Sequence, residues 1–489
     1  MTKLIILNNK KCQIITDDAA LMKKLHYHLS FRIAGAEWLP SVQNGGWDGT
    51  TYLLSKGGKF NLGLLENVKA FLLDKGIDYI VEDKRPTKII NAPIDISEKL
   101  KEYNLIPRDH QERIANITDI CDRGIIRAAT GAGKSLCIAM IAAKLNKSTI
   151  IYVIGLDLLY QLHNLFSQLF DEKIGYIGNG ICDPQRITIA SIWTIGRALS
   201  IDPKKIVDDD ASIEEKDVDE NSRSKIIKML NCAKVHILDE CHVASTGTIN
   251  EIYKNIDPEY IFGCSGTPFR DDNSDLLING ILGEQVIDVP ASELIAKGLL
   301  AQPIIKFIAV PKMHLLNGNN YQSVYKDYIV ENEIRNNLIV KQTQALLDKK
   351  YTPLVLFKQI KHGGILLEKF QAAGIKCAAL CGEDDLEKRG DIKKMLINKE
   401  IDVILASTIF DIGLDLKELN ALVLCGGGKS SIRTLQRVGR AIRMTPGKKF
   451  AAVIDFWDQV KYLKGHSKIR QKIYESEKGF KVIKCKEMK

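Results

Sequence analysis

Ile125-Ile126-Arg127-Ala128-Ala129-Thr130-Gly131-Ala132-Gly133-Lys134-Ser135 runs directly into the apolar stretch Leu136 to Lys144. The order reads as strand, glycine loop, helix. Backbone N–H groups of such a loop, together with the positive end of the helix dipole, cradle phosphates. In that context Lys134 reaches the β- and γ-phosphates of ATP and the Ser135 hydroxyl holds Mg²⁺. Thr130, Gly131, Ala132 and Gly133 supply the cradle itself. One departure is visible: the first glycine of G-x-x-x-x-G-K-[ST] is Ala128 here. The strand before the loop and the helix after it offset that change, because they are the context the pattern demands.

The second half of a phosphate site lies about a hundred residues on. Val235-His236-Ile237-Leu238 is a buried-type strand that ends in Asp239-Glu240-Cys241-His242. Adjacent acids at a strand end can face a metal at the rim of a sheet, where α/β proteins bind ligands. Asp239 then coordinates Mg²⁺, and Glu240 orients and polarises the attacking water.

Outward from these motifs, apolar strand-length runs alternate with helix-length patterns. From Ile94 to about Pro290 the strands are Ile125-Ile126, Thr149 to Ile154, Ile187 to Ala190, Val235 to Leu238 and Tyr260 to Cys264. From Ile304 to Phe456 they are Pro353 to Phe357, Cys377 to Leu380, Asp402 to Ala406, Ala421 to Cys425 and Ala451 to Ile454. That rhythm predicts two α/β lobes, each a parallel sheet with crossover helices. Residues 1–90 read as a small mixed unit. It has strand-like Leu4 to Ile15, helices at Ala19 to Leu29 and Leu64 to Lys75, and the turn-rich Gly45-Gly46-Trp47-Asp48-Gly49. The polar stretch Glu82 to Asn91 reads as a linker. Lobe 1 is expected over 91–300, lobe 2 over 301–456, and a basic helical extension over 457–489.

Composition narrows the class. No run of eighteen apolar residues exists in the 489, so no membrane span is expected. Leu4 to Leu7 is too short for a signal-peptide core. Eleven scattered cysteines, with only Cys377 and Cys381 close together, predict reduced thiols and no zinc site. The net charge of +9 is uneven. Ala441 to Lys489 holds 13 Lys or Arg against 5 Asp or Glu, whereas Ile201 to Glu220 holds 3 against 9. The basic end is a candidate nucleic-acid surface, with a solvated helical face as the alternative. Val207 to Glu220 reads as an exposed acidic insert.

With Asp239-Glu240-Cys241-His242 as a DExH box, the chain resembles the superfamily 2 helicases. The resemblance implies two tandem RecA-like parallel-sheet lobes, a small α+β N-terminal domain and a helical basic C-terminal tail. It carries further residues. Arg108-Asp109-His110-Gln111 resembles the adenine-reading element, with Gln111 as reader and Arg108 beside it. Ile154 to Gln161 resembles motif Ia, although only Leu158 and Gln161 carry over. Thr188 to Ser191 and Ser265-Gly266-Thr267-Pro268 resemble the motifs that touch the strand and couple hydrolysis to lobe movement. Leu354 to His362 resembles motif IV, and Ala406-Ser407-Thr408 with Asp411 to Asp415 resembles motif V, placing Gly413 and Asp415 at the nucleotide. Gln436-Arg437-Val438-Gly439-Arg440-Ala441-Ile442-Arg443 resembles motif VI. Residues at i and i+3 share one helix face. By family match, Arg440 and Arg443 are the arginine fingers that meet the γ-phosphate. Such a finger is worth roughly 10³–10⁵ in rate. Gln161, Ser191, Ser265, Thr267, Thr408 and Gln436 are the expected nucleic-acid coupling residues.

The track is not set by the motor. Phe31, Gly35, Pro40, Gly46 to Gly49 and Gly63-Leu64 resemble the N-terminal domain of the phage UvsW helicase family. Asn332, Arg335 and Asn336, within Tyr325 to Asn337, resemble a pattern shared by UvsW-like and restriction-translocase-like motors, and Tyr462-Leu463, His466, Arg470 and Tyr474 resemble the end of the UvsW family. That resemblance implies a motor on branched or double-stranded DNA, 3′-to-5′ unwinding, and work in recombination, repair and replication. An RNA helicase and a restriction-system translocase subunit are the alternatives. The expected form is a monomer in the cytoplasm, the host's if the source is a phage.

Overall fold

Strands buried on both faces need cover on both faces, and crossover helices supply it. Both large sheets of this chain are built that way. The computed structural model describes residues 1–489 except 34, 201–217, 242–246, 268–274, 313–319, 382–383, 385, 408–418, 429–448 and 487–489. The chain divides into two compact units, residues 1–289 and 290–489 apart from short loop segments. No helix among the described residues is long and apolar enough to cross a membrane.

The first unit begins with β1 (Thr2–Ile6) and β2 (Lys11–Ile15), which pair antiparallel. The single strand expected over Leu4 to Ile15 is therefore a hairpin. Asn8 Oδ1 accepts from the N–H groups of Lys10 and Lys11, both at 2.9 Å, and turns the chain. A side-chain-to-backbone turn overrides the apolar run. β3 (Ser30–Arg32) pairs with β4 (Thr50–Tyr52), while β5 (Lys59–Asn61) and β6 (Tyr79–Asp83) complete a sheet ordered β5-β2-β1-β6. Helices Ala19–His28 and Leu65–Asp74 bury Leu21, Leu25, Val68 and Leu72 with Leu4, Ile14 and Phe60. Trp47 is a folding element. Its Nε1 donates to Thr50 O, and Asp48 accepts from both Thr50 N and the Tyr52 hydroxyl.

This small sheet is seated on the larger one by backbone contact. A Cβ at Gly63 would lie 2.0 Å from the carbonyl oxygen of Asn279 in helix Asp275–Leu282, so only glycine fits. Arg123 Nη2 donates to Asn9 O at 2.5 Å and Lys10 Nζ to Lys254 O at 2.9 Å. The stretch read as a linker is also tied down: Arg85 and Lys88 both pair with Asp122, at 2.6 and 2.7 Å.

The first large sheet contains β7 (Arg123–Ala128), β8 (Thr149–Val153), β9 (Gly175–Gly178), β10 (Ile181–Asp183), β11 (Ile187–Ser191), β12 (Val235–Asp239), β13 (Tyr260–Ser265) and β14 (Gln285–Val289). Their order is β10-β9-β11-β8-β12-β13-β7-β14, parallel except at the β10–β9 edge. β8, β11, β12 and β13 are buried along their whole length. Of the acidic insert, residues 207–217 lie outside the described residues. Asp219 caps helix Glu220–Cys232 by accepting from Ser222 N at 2.9 Å.

The second sheet contains β15 (Gln302–Ala309), β16 (Pro353–Phe357), β17 (Cys377–Leu380), β18 (Val403–Ser407), β19 (Ala421–Leu424), β20 (Phe450–Trp457) and β21 (Lys481–Ile483). It is parallel throughout, in the order β17-β18-β16-β19-β20-β15-β21. The C-terminal stretch holds the expected helix, Leu463–Ser476, and then a strand that no periodicity announced, since β21 has only three residues. No disulfide joins the eleven cysteines.

His236, the second residue of β12, carries a pH dependence. The buried Tyr152 hydroxyl lies 2.8 Å from His236 Nδ1, and His236 Nε2 lies 3.3 Å from Ala233 O. A neutral ring that accepts from the tyrosine and donates to the carbonyl satisfies both contacts. Burial lowers its pKa to about 4. A base with a lower pKa in the folded state is protonated first in the unfolded chain. Stability is then whole above the ordinary histidine pKa and falls on acidification from about pH 6.5 to about pH 4, by up to about 3 kcal/mol. Melting followed across this window is expected to decline, and His236→Gln to flatten the decline. An equal slope in both proteins contradicts the assignment.

Candidate nucleotide-hydrolysing site

The glycine loop leaves β7 at Ala128 and enters helix Lys134–Leu145. Gly131 and Gly133 have φ of 89° and 81°, in the left-handed region where a Cβ is costly. Gly133 has a second constraint, because a Cβ would lie 2.3 Å from Gln111 Nε2. Gln111 is buried and clamps the loop. Its Nε2 donates to Ala132 O at 3.0 Å, and its Oε1 accepts from Arg108 N at 2.9 Å. His110 Nε2 lies 2.9 Å from the same Ala132 oxygen. His110 is thus a loop-holding residue that the sequence reading did not single out, although it sits in the quoted Arg108 to Gln111 element. The Arg108 side chain is exposed.

β12 and β13 are adjacent parallel strands, and their C-terminal ends bring the acids and Ser265 together. Lys134 Nζ stands 3.4 Å from Glu240 Oε1. Ser265 Oγ donates to Glu240 Oε2 at 3.0 Å and accepts from Thr267 N at 3.1 Å. Lysine, glutamate, serine and the threonine backbone thus form one continuous chain from the nucleotide loop to the end of β13. Glu240 adopts φ of 52°, a left-handed conformation uncommon for any residue but glycine and a mark of local strain. Its own N–H donates to Asp239 Oδ1 at 3.0 Å.

The charges are set by burial and by one another. Burial and then the Glu240 carboxylate raise the pKa of Asp239, against the pull of Lys134. Burial alone lowers Lys134, but Glu240 and Asp239 outweigh it and the ammonium is held charged. Two adjacent acids thus share one fixed cation. No cluster of three or more His, Cys, Asp or Glu side chains able to hold a metal occurs among the described residues. A hydroxyl and one carboxylate are nonetheless the donor set that Mg²⁺ takes when phosphates and water complete its shell. Ser135 and Asp239 are of that kind. Cys241 and Cys264 lie behind the acids, and burial pushes both thiols well up. They pack as small apolar groups.

The remaining sequence candidates are spread out. Gln161 is exposed on helix Leu156–Leu169, Ser191 is buried at the end of β11, and Thr267 and Thr130 are partly buried. Thr408, Gly413, Asp415, Gln436, Arg440 and Arg443 lie outside the described residues, as do His242 and Pro268. Arg470 belongs to the basic end that the sequence offers as a candidate nucleic-acid surface, but its guanidinium is turned inward. It is buried and forks onto Asp455, with Nε and Nη2 each 2.9 Å from a carboxylate oxygen.

Residues 3–82 match the family described as DNA helicase UvsW, N-terminal. Residues 104–270 match Type III restriction enzyme, res subunit, and residues 328–445 match Helicase conserved C-terminal domain. The ATP-dependent DNA helicase uvsW of Enterobacteria phage T4 is 26% identical over 453 residues, covering 89% of this chain and 86% of the relative. A DNA 3′-5′ translocase, XPB2 of Sulfurisphaera tokodaii, is 23% identical over 413 residues, covering 77% of this chain and 85% of its own. The solved structure of Mycobacterium smegmatis helicase Lhr bound to single-stranded DNA and AMP-PNP is 14% identical. It aligns with a TM-score of 0.50 over 79% of this chain and 50% of that one, a likeness of fold.

Substitution at the acid chain is expected to act on turnover and not on nucleotide affinity. Glu240→Gln keeps the shape but removes the charge, and should cut kcat by roughly 10²–10⁴. Ser265→Ala removes one hydrogen bond to a charged group, so a loss of about 10- to 100-fold is expected. Steady-state ATPase assays measure both, and an unchanged kcat in Glu240→Gln contradicts its role.

Proposed function

We infer that this chain, a superfamily 2 helicase of the UvsW type, couples ATP hydrolysis to movement on DNA and remodels branched DNA. The observation that carries the reading is the Lys134–Glu240–Ser265 chain beside the glycine loop. It joins the phosphate-binding lysine to the water-orienting acid, and that acid to the motif that relays hydrolysis. Lys134 holds the β- and γ-phosphates, with Gly131 to Gly133 around them. Ser135 and Asp239 hold Mg²⁺, which neutralises developing phosphate charge when bound. Glu240 orients water. Gln111, with Arg108 beside it, faces the adenine side. Gly413 and Asp415, then Arg440 and Arg443 as fingers, complete the site from the second lobe. Gln161, Ser191, Ser265, Thr267, Thr408 and Gln436 couple it to the strand.

Support for DNA comes from the N-terminal domain. It matches the UvsW N-terminal family and is fixed to the lobe that carries the nucleotide loop, so a grip there moves with that lobe. The exposed lysines Lys461, just before the C-terminal helix, and Lys464 and Lys468, in its first two turns, offer a second phosphate contact. Two relatives are named as a DNA helicase and a DNA 3′-5′ translocase, which favours DNA as the track and 3′-to-5′ movement; forks, junctions, D-loops and R-loops are the substrates that the UvsW resemblance implies. The work then lies in recombination, repair and replication, in the cytoplasm.

ATPase stimulation by single-stranded, duplex, forked and four-way-junction DNA and by RNA tests this directly. Forked and junction DNA should stimulate most. Stimulation by RNA alone would make the chain an RNA helicase. Neutralising Lys461, Lys464 and Lys468 together should flatten the salt dependence of fork binding by about two to three phosphate contacts, and an unaltered slope removes the helix from the DNA surface.

A further inference from the structure

In the N-terminal domain, the last turn of helix Ala19–His28 carries two adjacent aromatic side chains, His26 and Tyr27, and β4 ends in a third, Tyr52. The His26 and Tyr52 rings stack, with centroids 4.3 Å apart and planes 3° from parallel. Tyr27 stands edge-on to both, at 6.0 and 6.2 Å. The stacked pair is locked. His26 Nδ1 lies 3.1 Å from Leu54 O, and the Tyr52 hydroxyl donates to Asp48 at 2.8 Å. The pair is partly buried, whereas Tyr27 is 58% exposed.

Cations flank the exposed ring. Lys23 and Lys24 precede Tyr27 by four and three residues, so they share its helix face. Arg32 lies on the same face of the β3–β4 ribbon as Tyr52, because Ser30 is opposite Tyr52 and Arg32 is opposite Thr50. All three are exposed, and none pairs with a carboxylate among the described residues. Asp48, the acid that touches the cluster, is already engaged by Tyr52 and by Thr50 N. A supported aromatic ring with free cations beside it matches the two parts of an unpaired nucleotide, a flat base and a phosphate. Duplex DNA keeps its base faces in the stack and offers phosphates alone. A protein partner that buried Tyr27 would have to desolvate the lysines beside it.

We propose that Tyr27, backed by the His26–Tyr52 stack and flanked by Lys23, Lys24 and Arg32, is a stacking platform for unpaired nucleotides at a DNA branch. The inference rests on the reading of the chain as a motor on branched DNA. It gives the N-terminal domain one task in that reading, to distinguish DNA with an unpaired arm from plain duplex.

Binding of the full chain to a labelled fork with single-stranded arms, and to a blunt duplex, tests it. Tyr27→Ala removes a ring from an exposed position, with little risk to folding. It should weaken fork binding about 5- to 100-fold, the range for one base stacked on an aromatic side chain, and leave duplex binding as it was. Tyr27→Phe keeps the ring and should bind the fork as the wild type does. Lys23→Ala with Lys24→Ala should lower the salt slope of fork binding by about one to two units, while Tyr27→Ala leaves the slope alone. Unchanged fork affinity in Tyr27→Ala overturns the inference. An equal loss on fork and duplex overturns it too, because it marks a general weakening of the domain. Tyr27→Phe as weak as Tyr27→Ala does the same, since the ring is then not the contact. The motor reading fails separately: a wild-type ATPase that forked DNA does not stimulate removes it, and the contrast between fork and duplex binding still decides the platform.

Discussion

Two carboxylates side by side at the end of a buried strand cannot both be charged without a cation, and Lys134 is the cation the fold supplies. Most of the first unit follows from that need. The strand must be central to bring Asp239 and Glu240 to the rim beside the glycine loop, and β12 lies three strands in from the β14 edge, two from β7. The loop must hold its shape, and Gln111 and His110 pin its Ala132 carbonyl. On the proposed reading, the residual charge of the pair is what a phosphate-bound divalent ion would complete.

The second unit solves a different problem with the same means. Its central strands end in polar turns, and the groups that hold those turns are buried ions. Arg335 with Asp458 and Arg470 with Asp455 are almost wholly removed from water. A buried pair is weak evidence for stability in itself, because desolvation offsets much of the attraction, and removing one partner costs about 3–5 kcal/mol. Fixed geometry is the better account of why ions are found there. Each guanidinium spends one edge on its acid and another on a main-chain carbonyl.

Much of this was legible in the amino-acid order. Buried parallel strands read as unbroken apolar runs, so Pro353 to Phe357 coincides with β16, and the apolar Cys377 to Leu380 coincides with the half-buried edge strand β17. The Lys134 and Asp239-Glu240 motifs carry their own structural context and fall side by side. What failed was short or side-chain-driven. The β1–β2 turn rests on one asparagine, β21 is too short to show a period, and Arg470 looks like any surface arginine until Asp455 is found beneath it. Charge alone cannot tell a solvated arginine from a buried one, because the partner lies 15 residues away in the chain. The Ser265 contact to Glu240 spans 25 residues and is equally invisible to spacing.

The central proposal is that Lys134 and Glu240 line the site of ATP hydrolysis, with Arg440 and Arg443 as its arginine fingers. A structure of the full chain with Mg²⁺, ADP, aluminium fluoride and forked DNA tests it most directly. The account expects Arg440 and Arg443 within hydrogen-bond reach of the fluoride that mimics the γ-phosphate, opposite Lys134 and Glu240. Both arginines on an outer surface, with the fluoride bound by the first lobe alone, would contradict it.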